Sequence, residues 1–151
     1  MDEARRILRE HLGDSLKLVE PLAKYTILEV GGHADFFFEA KSGEDLEKAV
    51  NAAKAAKIPF FILGSGSSVL VSDAGYHGLV IKNLFESIKE SPTETPIKVQ
   101  VEVASGTSLP KLIRYSVDNN FSGLEPLAGV AGTVGGSVVF NSATQGERIS
   151  D

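Results

Sequence analysis

Ile58-Pro-Phe-Phe-Ile-Leu-Gly-Ser-Gly-Ser-Ser-Val-Leu-Val-Ser72 leads an apolar, β-rich run into a loop of small residues, Gly64 to Ser68. A second β-rich run, Val69-Leu70-Val71, leads out of it. Glycine admits a backbone with positive φ and lets another group come close to the main chain. Successive N–H groups exposed in such a turn form a concave nest that suits a phosphate or pyrophosphate. A Rossmann or P-loop glycine cluster would open a helix there, setting the helix N-terminus against the anion. Here the residues after the loop read as strand, and no Lys-Ser or Lys-Thr pair follows. The segment is expected to be strand–loop–strand, either an anion site of that form or a tight β-turn without a ligand.

Composition narrows the setting. A chain of 151 residues suffices for one ordinary domain or two small lobes. Its hydrophobic content of 42% and charged content of 23% are those of a soluble globular protein. The formal net charge of −5 leaves no excess of Lys and Arg to neutralise phosphates, so nucleic acid is not an expected partner. With no cysteine, disulfides, thiolate catalysis and Cys-based metal sites are excluded. The start, Met1-Asp-Glu-Ala-Arg-Arg6, lacks the basic-then-apolar pattern of a signal peptide, and no apolar run approaches ~18 residues. The expectation is a cytoplasmic protein with no membrane partner.

Along the chain, Ala4, Ile7, Leu8 and Leu12 recur at helical spacing over residues 2–12, with Asp2 and Glu3 at the favourable end and Gly13 just beyond. A polar link follows. Phe36-Phe-Phe-Glu-Ala40 reads as a strand, and Ser42 can cap a helix over about 43–56 that presents Leu46, Ala49, Val50 and Ala53 on one face. After the Gly-Ser loop, Gly75 to Gly78 reads as a turn and Leu79-Val-Ile-Lys82 as another strand. Glu86 to Pro96 is polar with two prolines, a linker or surface hairpin. Ile97 to Ala104 alternates as a half-buried strand. Ser105 or Thr107 can cap the next helix, on which Leu109, Leu112, Ile113 and Val117 share a face until Asn119-Asn120. The organisation expected is an N-terminal helix and link (1–19), a first α+β lobe (20–85) and a second, incomplete α+β lobe (96–151).

A second glycine cluster follows: Leu127-Ala-Gly-Val-Ala-Gly-Thr-Val-Gly-Gly-Ser137. Its four glycines exceed what one turn needs, and a helix would lose about 1 kcal/mol for each relative to Ala. Such a segment suits backbone lying against something large and flat, or a helix and loop packed very closely; a glycine-rich packing loop is the reading without a ligand. Thr133 and Ser137 add hydroxyls able to bond phosphate or carbonyl oxygens. Two Gly/Ser loops in one small chain favour a shared dinucleotide.

Several motifs then fall into a known order. Thr26-Ile-Leu-Glu-Val-Gly-Gly-His-Ala-Asp35, the Ile58–Asp73 stretch, Gly75-Tyr-His-Gly-Leu-Val-Ile81, the Gly123–Asn141 stretch and Gly146-Glu-Arg-Ile-Ser-Asp151 together resemble the UDP-N-acetylenolpyruvoylglucosamine reductases. The resemblance implies an α+β, two-lobed FAD-binding domain of the vanillyl-alcohol-oxidase/p-cresol-methylhydroxylase (PCMH) type, truncated at the C-terminus, with its flavin groove between the lobes. It also implies non-covalent FAD, NADPH as co-substrate, and reduction of the enolpyruvyl ether of a UDP-sugar to UDP-N-acetylmuramate in peptidoglycan precursor synthesis. By the same resemblance Ser65, Gly66, Ser67 and Ser68 wrap the FAD pyrophosphate with backbone amides. Gly129, Gly132, Thr133, Gly135 and Gly136 line the flavin and ribityl side, Asn141 follows them, and Ile149 lies in the stretch returning towards the nucleotide. The pyrophosphate charge would be offset by a nest of dipoles instead of by Lys side chains.

Two positions depart from the family pattern: Ser68 stands where an Asn is usual, and Gln145 replaces an aromatic residue. The family's catalytic arginine, proton-donating serine and supporting glutamate would come after Asp151. No catalytic residue is assigned, and the chain alone is expected to be inactive. The alternatives are a non-catalytic flavin- or nucleotide-binding module and another FAD-dependent alcohol or sugar oxidoreductase of the same fold. His11, His33 and His77 are scattered without carboxylates at ligand spacing, so no metal site is expected.

Overall fold

The computed structural model describes residues 1–93, 97–144 and 147–150. Pro96, Gln145, Gly146 and Asp151, named above, lie outside the described residues. The chain divides into two compact units, 1–84 and 85–151.

In the first unit, the apolar stripe of residues 2–12 forms helix α1 (Asp2–Leu12), burying Ala4, Leu8 and Leu12. The polar link then contains a strand that the sequence reading missed, β1 (Lys17–Pro21). Next come β2 (His33–Ala40), α2 (Gly43–Ala55), β3 (Phe60–Leu63) and β4 (Tyr76–Asn83). Ser42 caps α2 as expected, its hydroxyl accepting the Asp45 N–H at 3.1 Å. The four strands form one sheet in the order β1-β2-β4-β3. β2, β4 and β3 run parallel, and β1 closes one edge antiparallel to β2.

The two faces of this sheet do different things. On one, Phe36, Phe38, Ala40, Leu79 and Ile81 meet α1 and the alanine-lined face of α2, which buries Ala49, Ala52 and Ala53. On the other, Phe37, Leu63 and Val80 are covered by Leu22 and Tyr25, at a turn of 3₁₀ helix, and by Val69 and Val71 of the loop after β3. The residues Val69-Leu70-Val71, expected as a strand, are irregular chain outside the sheet. They pack sideways, with Val69 and Val71 turned into this second core. Phe37 is fully buried there, and its loss to Ala would cost about 3–5 kcal/mol.

The second unit begins with β5 (Ile88–Ser91), paired antiparallel with β6 (Gln100–Val103). β6 is shorter than the alternation of residues 97–104 suggested: Ile97 and Val99 precede it and are exposed. Helix α3 (Leu109–Asp118) is capped by Ser108, not by Ser105 or Thr107; the Ser108 hydroxyl accepts the Lys111 N–H at 3.3 Å. Leu109 and Leu112 are buried, while Val117 is exposed. A short turn of 3₁₀ helix (Glu125–Leu127) precedes α4 (Val134–Phe140), and two-residue strands β7 (Ala143–Thr144) and β8 (Glu147–Arg148) follow. Leu109, Leu112 and Leu127 centre this unit's core, with Ile88, Val103, Val134 and Ile149 packed around them. No helix among the described residues is long and apolar enough to cross a membrane.

Candidate functional site

In an open sheet with parallel strands, ligands bind beyond the carboxyl ends of the strands. The Gly64–Ser68 loop is at that place, leaving β3 where Leu63 pairs with Lys82 of β4. Gly66 has φ 73°, and a Cβ built on it would strike the Tyr25 carbonyl oxygen and come within 3.0 Å of the Thr26 Cα. The Ile27 N–H donates to the Gly66 carbonyl at 3.2 Å. The loop is therefore sewn to residues 25–27, and only glycine permits that approach. Ser65 and Ser68 are exposed, and among the described residues their backbone N–H groups donate to no acceptor. The Ser65 hydroxyl donates to the Ser67 hydroxyl at 3.2 Å.

Beneath the loop is a cation that the sequence reading did not place. Lys82 is half-buried, donates to the Gly64 carbonyl, and holds its ammonium 5.9 Å from the centre of the Tyr25 ring. Burial pushes its pKa down, against the attraction of Glu39. The sequence points to an anion site offset by dipoles without Lys side chains; the structure places this ammonium on the Gly64 carbonyl of the same loop. Alternation along β4 could have put Lys82 on the face of Val80, but only the strand register brings it under the loop.

Tyr25 joins the two. Its ring stacks on Phe37 with centroids 4.5 Å apart, and its hydroxyl donates to Glu20 at 2.6 Å. Burial, then the bond to Glu20, pushes the phenol up to about 12. For Glu20, burial works to raise the pKa, but the bonds from Lys24, at 2.8 Å, and Tyr25 outweigh it and hold the carboxyl below its usual range. On the same face a mainly apolar hollow of about 270 Å³ is lined by Leu22, Phe61, Leu63, Val69, Val71 and Tyr76, among others. Its lining suits a flat aromatic group.

The second cluster is sewn down in the same manner within its own unit. The Thr133 hydroxyl accepts the Gly136 N–H at 3.2 Å and caps α4. The Gly135 N–H donates to the Ser105 carbonyl at 2.8 Å, the Leu109 N–H to the Gly132 carbonyl at 2.9 Å, and the Val134 N–H to the Thr107 carbonyl at 2.8 Å. A Cβ on Gly135 would lie 2.8 Å from the Ser105 Cβ, so close packing of helix on loop explains this glycine. Propensity counts against a helix through Gly135 and Gly136; the cap and the contact with Ser105 override that. Gly129 borders open space. Asn141 ends α4 in left-handed backbone, and its Oδ1 is buried without a hydrogen-bond partner among the described residues. The Ile149 N–H donates to the Ser142 carbonyl at 3.0 Å, and its side chain packs in the core. Among the described residues no group of three or more His, Asp or Glu side chains is placed to hold a metal ion.

A family model described as FAD binding domain matches residues 34–151, across both glycine clusters. The chain belongs to this FAD-binding family. It is 35% identical over 138 residues to UDP-N-acetylenolpyruvoylglucosamine reductase of Listeria innocua, an alignment covering 91% of this chain and 44% of that protein. To the same-named protein of Synechococcus sp. strain RCC307 it is 39% identical over 132 residues, covering 87% and 42%. The chain spans less than half the length of these curated relatives. Among solved structures, UDP-N-acetylenolpyruvylglucosamine reductase from Thermus caldophilus matches with a TM-score of 0.64 at 31% identity, over 90% of this chain and 45% of that one. p-Cresol methylhydroxylase matches with a TM-score of 0.50 at 18% identity, over 80% and 25%, and shows a shared fold. The two-lobed α+β fold class expected from the motifs is the one found.

The groups present in this FAD-binding chain fit the cofactor. Exposed loop amides suit a pyrophosphate, an apolar hollow suits a base, and the Asn141 amide oxygen, buried without a partner among the described residues, suits a hydrogen-bond donor.

Proposed function

We propose that this chain is the FAD-holding part of a UDP-N-acetylenolpyruvoylglucosamine reductase, a cytoplasmic enzyme that spends NADPH on an enolpyruvyl UDP-sugar in peptidoglycan precursor synthesis. The observation that carries the reading is the Gly64–Ser68 loop at the carboxyl ends of parallel strands, with open amides at Ser65 and Ser68. When bound, FAD supplies the redox chemistry. The chain's residues bind and orient it: the loop amides of Ser65–Ser68 hold the pyrophosphate, and the apolar hollow takes the adenine. Gly129, Gly132, Thr133, Gly135 and Gly136 border the flavin end. The Asn141 Oδ1 accepts from a cofactor N–H or hydroxyl. Ile149 steadies the strand pair from the core side.

Titration of the purified chain with FAD, FMN and riboflavin, followed by flavin fluorescence, tests this. Saturable, non-covalent binding of FAD at least about tenfold tighter than FMN is expected, since only FAD offers both pyrophosphate and adenine. Equal affinity for the two would remove the loop from the site. The chain amounts to less than half of such a reductase. NADPH oxidation with the enolpyruvyl UDP-sugar is accordingly expected to be absent for the chain alone under saturating FAD. Turnover above about 1 per second would place the acid–base groups within these residues.

A further inference from the structure

We propose that Lys82 is a positioning residue that tunes the Gly64–Ser68 loop for a doubly charged pyrophosphate. This rests on reading the loop as the pyrophosphate site, and it adds a charge that the loop itself lacks. Lys82 shares the loop-bearing face of the sheet with Val80, and its ammonium bonds the carbonyl of Gly64, the first residue of the loop. In a trans peptide the C=O and the following N–H point in opposite directions. Drawing the Gly64 carbonyl towards Lys82 thus turns the Ser65 N–H away from it, to the open side of the loop.

The electrostatics point the same way. Among the described residues no carboxylate forms an ion pair with Lys82, and the nearby Glu39 is engaged by Lys17 at 2.7 Å. A half-buried cation held by a carbonyl and a ring face is costly, and its burial already lowers its pKa. An anion seated on the far side of the loop offsets that cost through a thin, partly desolvated layer, where charges interact more strongly than in water. Lys82 therefore contributes little to the empty protein and much to the charged ligand.

The test uses the whole 151-residue chain, with ADP and inorganic pyrophosphate as charged probes and adenosine as the neutral one. Lys82→Met keeps the side-chain stem and removes the charge. Binding of ADP and pyrophosphate should weaken about tenfold or more, with adenosine unchanged, and the salt dependence of ADP binding should flatten. Lys82→Arg should stay within a few-fold of wild type, and the urea midpoint of unliganded Lys82→Met should equal or exceed it. Wild-type affinity for ADP in Lys82→Met overturns the proposal and leaves the loop reading standing. Parallel loss of ADP, adenosine and stability reduces Lys82 to a structural plug. Failure of the wild-type chain to bind ADP or pyrophosphate overturns the proposal together with the loop reading.

Discussion

At Gly66 the main chain turns through φ 73° against the Tyr25 carbonyl, so an added methyl group meets that oxygen before any ligand arrives. The sequence alone suggests that a side chain here would block the pyrophosphate; the geometry says it would first push the loop off residues 25–27. Gly66→Ala should therefore destabilise the unliganded chain by about 3 kcal/mol, combining left-handed strain with overpacking. Gly129→Ala, at φ 91° in open space, should cost only about 1 kcal/mol. Urea unfolding of both variants decides it, and equal losses would mean that the Tyr25 contact yields freely. Tyr25 makes a second claim at this scale. Its folded pKa of about 12 lies above the unfolded value of 10.0, so the native state holds the phenolic proton longer. The stability it contributes is complete below pH 10 and drains away as pH rises through 12. Tyr25→Phe should flatten that alkaline loss, and absorbance titration should show one tyrosine ionising late. An unchanged alkaline profile in the variant would assign the loss to other groups.

Elements bring residues together that no local pattern marks. Thr107 lies just before α3, where the sequence offers it as a helix cap; it is instead fully buried and tied to Ser87, the residue before β5. Its hydroxyl oxygen accepts the Ser87 N–H at 3.1 Å and its O–H donates to the Ser87 carbonyl at 3.2 Å. Thr107→Val keeps the shape and strands both partners, so a loss of about 1–3 kcal/mol is expected. Ser108→Ala removes the true cap at about 1 kcal/mol. Thermal unfolding ranks the two, and a larger loss for Ser108→Ala would make the cap the stronger tie. The same contrast explains what the sequence disclosed. Where a signal was local, as in the stripe of α1, the Ser42 cap or the apolar run of β2, the element formed where expected. Where it depended on a distant partner, it did not. The run Val69–Val71 is β-rich but lies outside the sheet, with Val69 and Val71 packed on the second core, and the two glycines of α4 are tolerated because Thr133 and Ser105 hold the helix start. β1 hid in a polar link because it draws its stability from β2, residues 33–37. Lys82 was visible as a lysine ending a strand, but its place under the loop followed only from the β3–β4 register.

At the scale of the whole chain, each unit carries its own core and its own glycine cluster, and each cluster is anchored within its unit. A cofactor with two chemically different ends can therefore be dissected by using its halves as separate ligands. ADP offers the pyrophosphate and the base, and should slow amide exchange at residues 64–68 without affecting 129–137. Riboflavin offers only the ring and ribityl chain, and should do the reverse. FAD should protect both segments at once, because it alone presents both ends. At a free concentration of 100 times its dissociation constant, FAD should also add about 2.7 kcal/mol to the free energy of unfolding. For a chain of this size that corresponds to a rise in Tm of about 5–11 °C. The half-ligands should add less at equal concentration, since each leaves one cluster unengaged. Amide exchange resolved by residue, with and without each ligand, reads all of this in one series. Protection by FAD confined to a single cluster would show that the other one is packing glycine, as the contact of Gly135 with Ser105 could explain by itself.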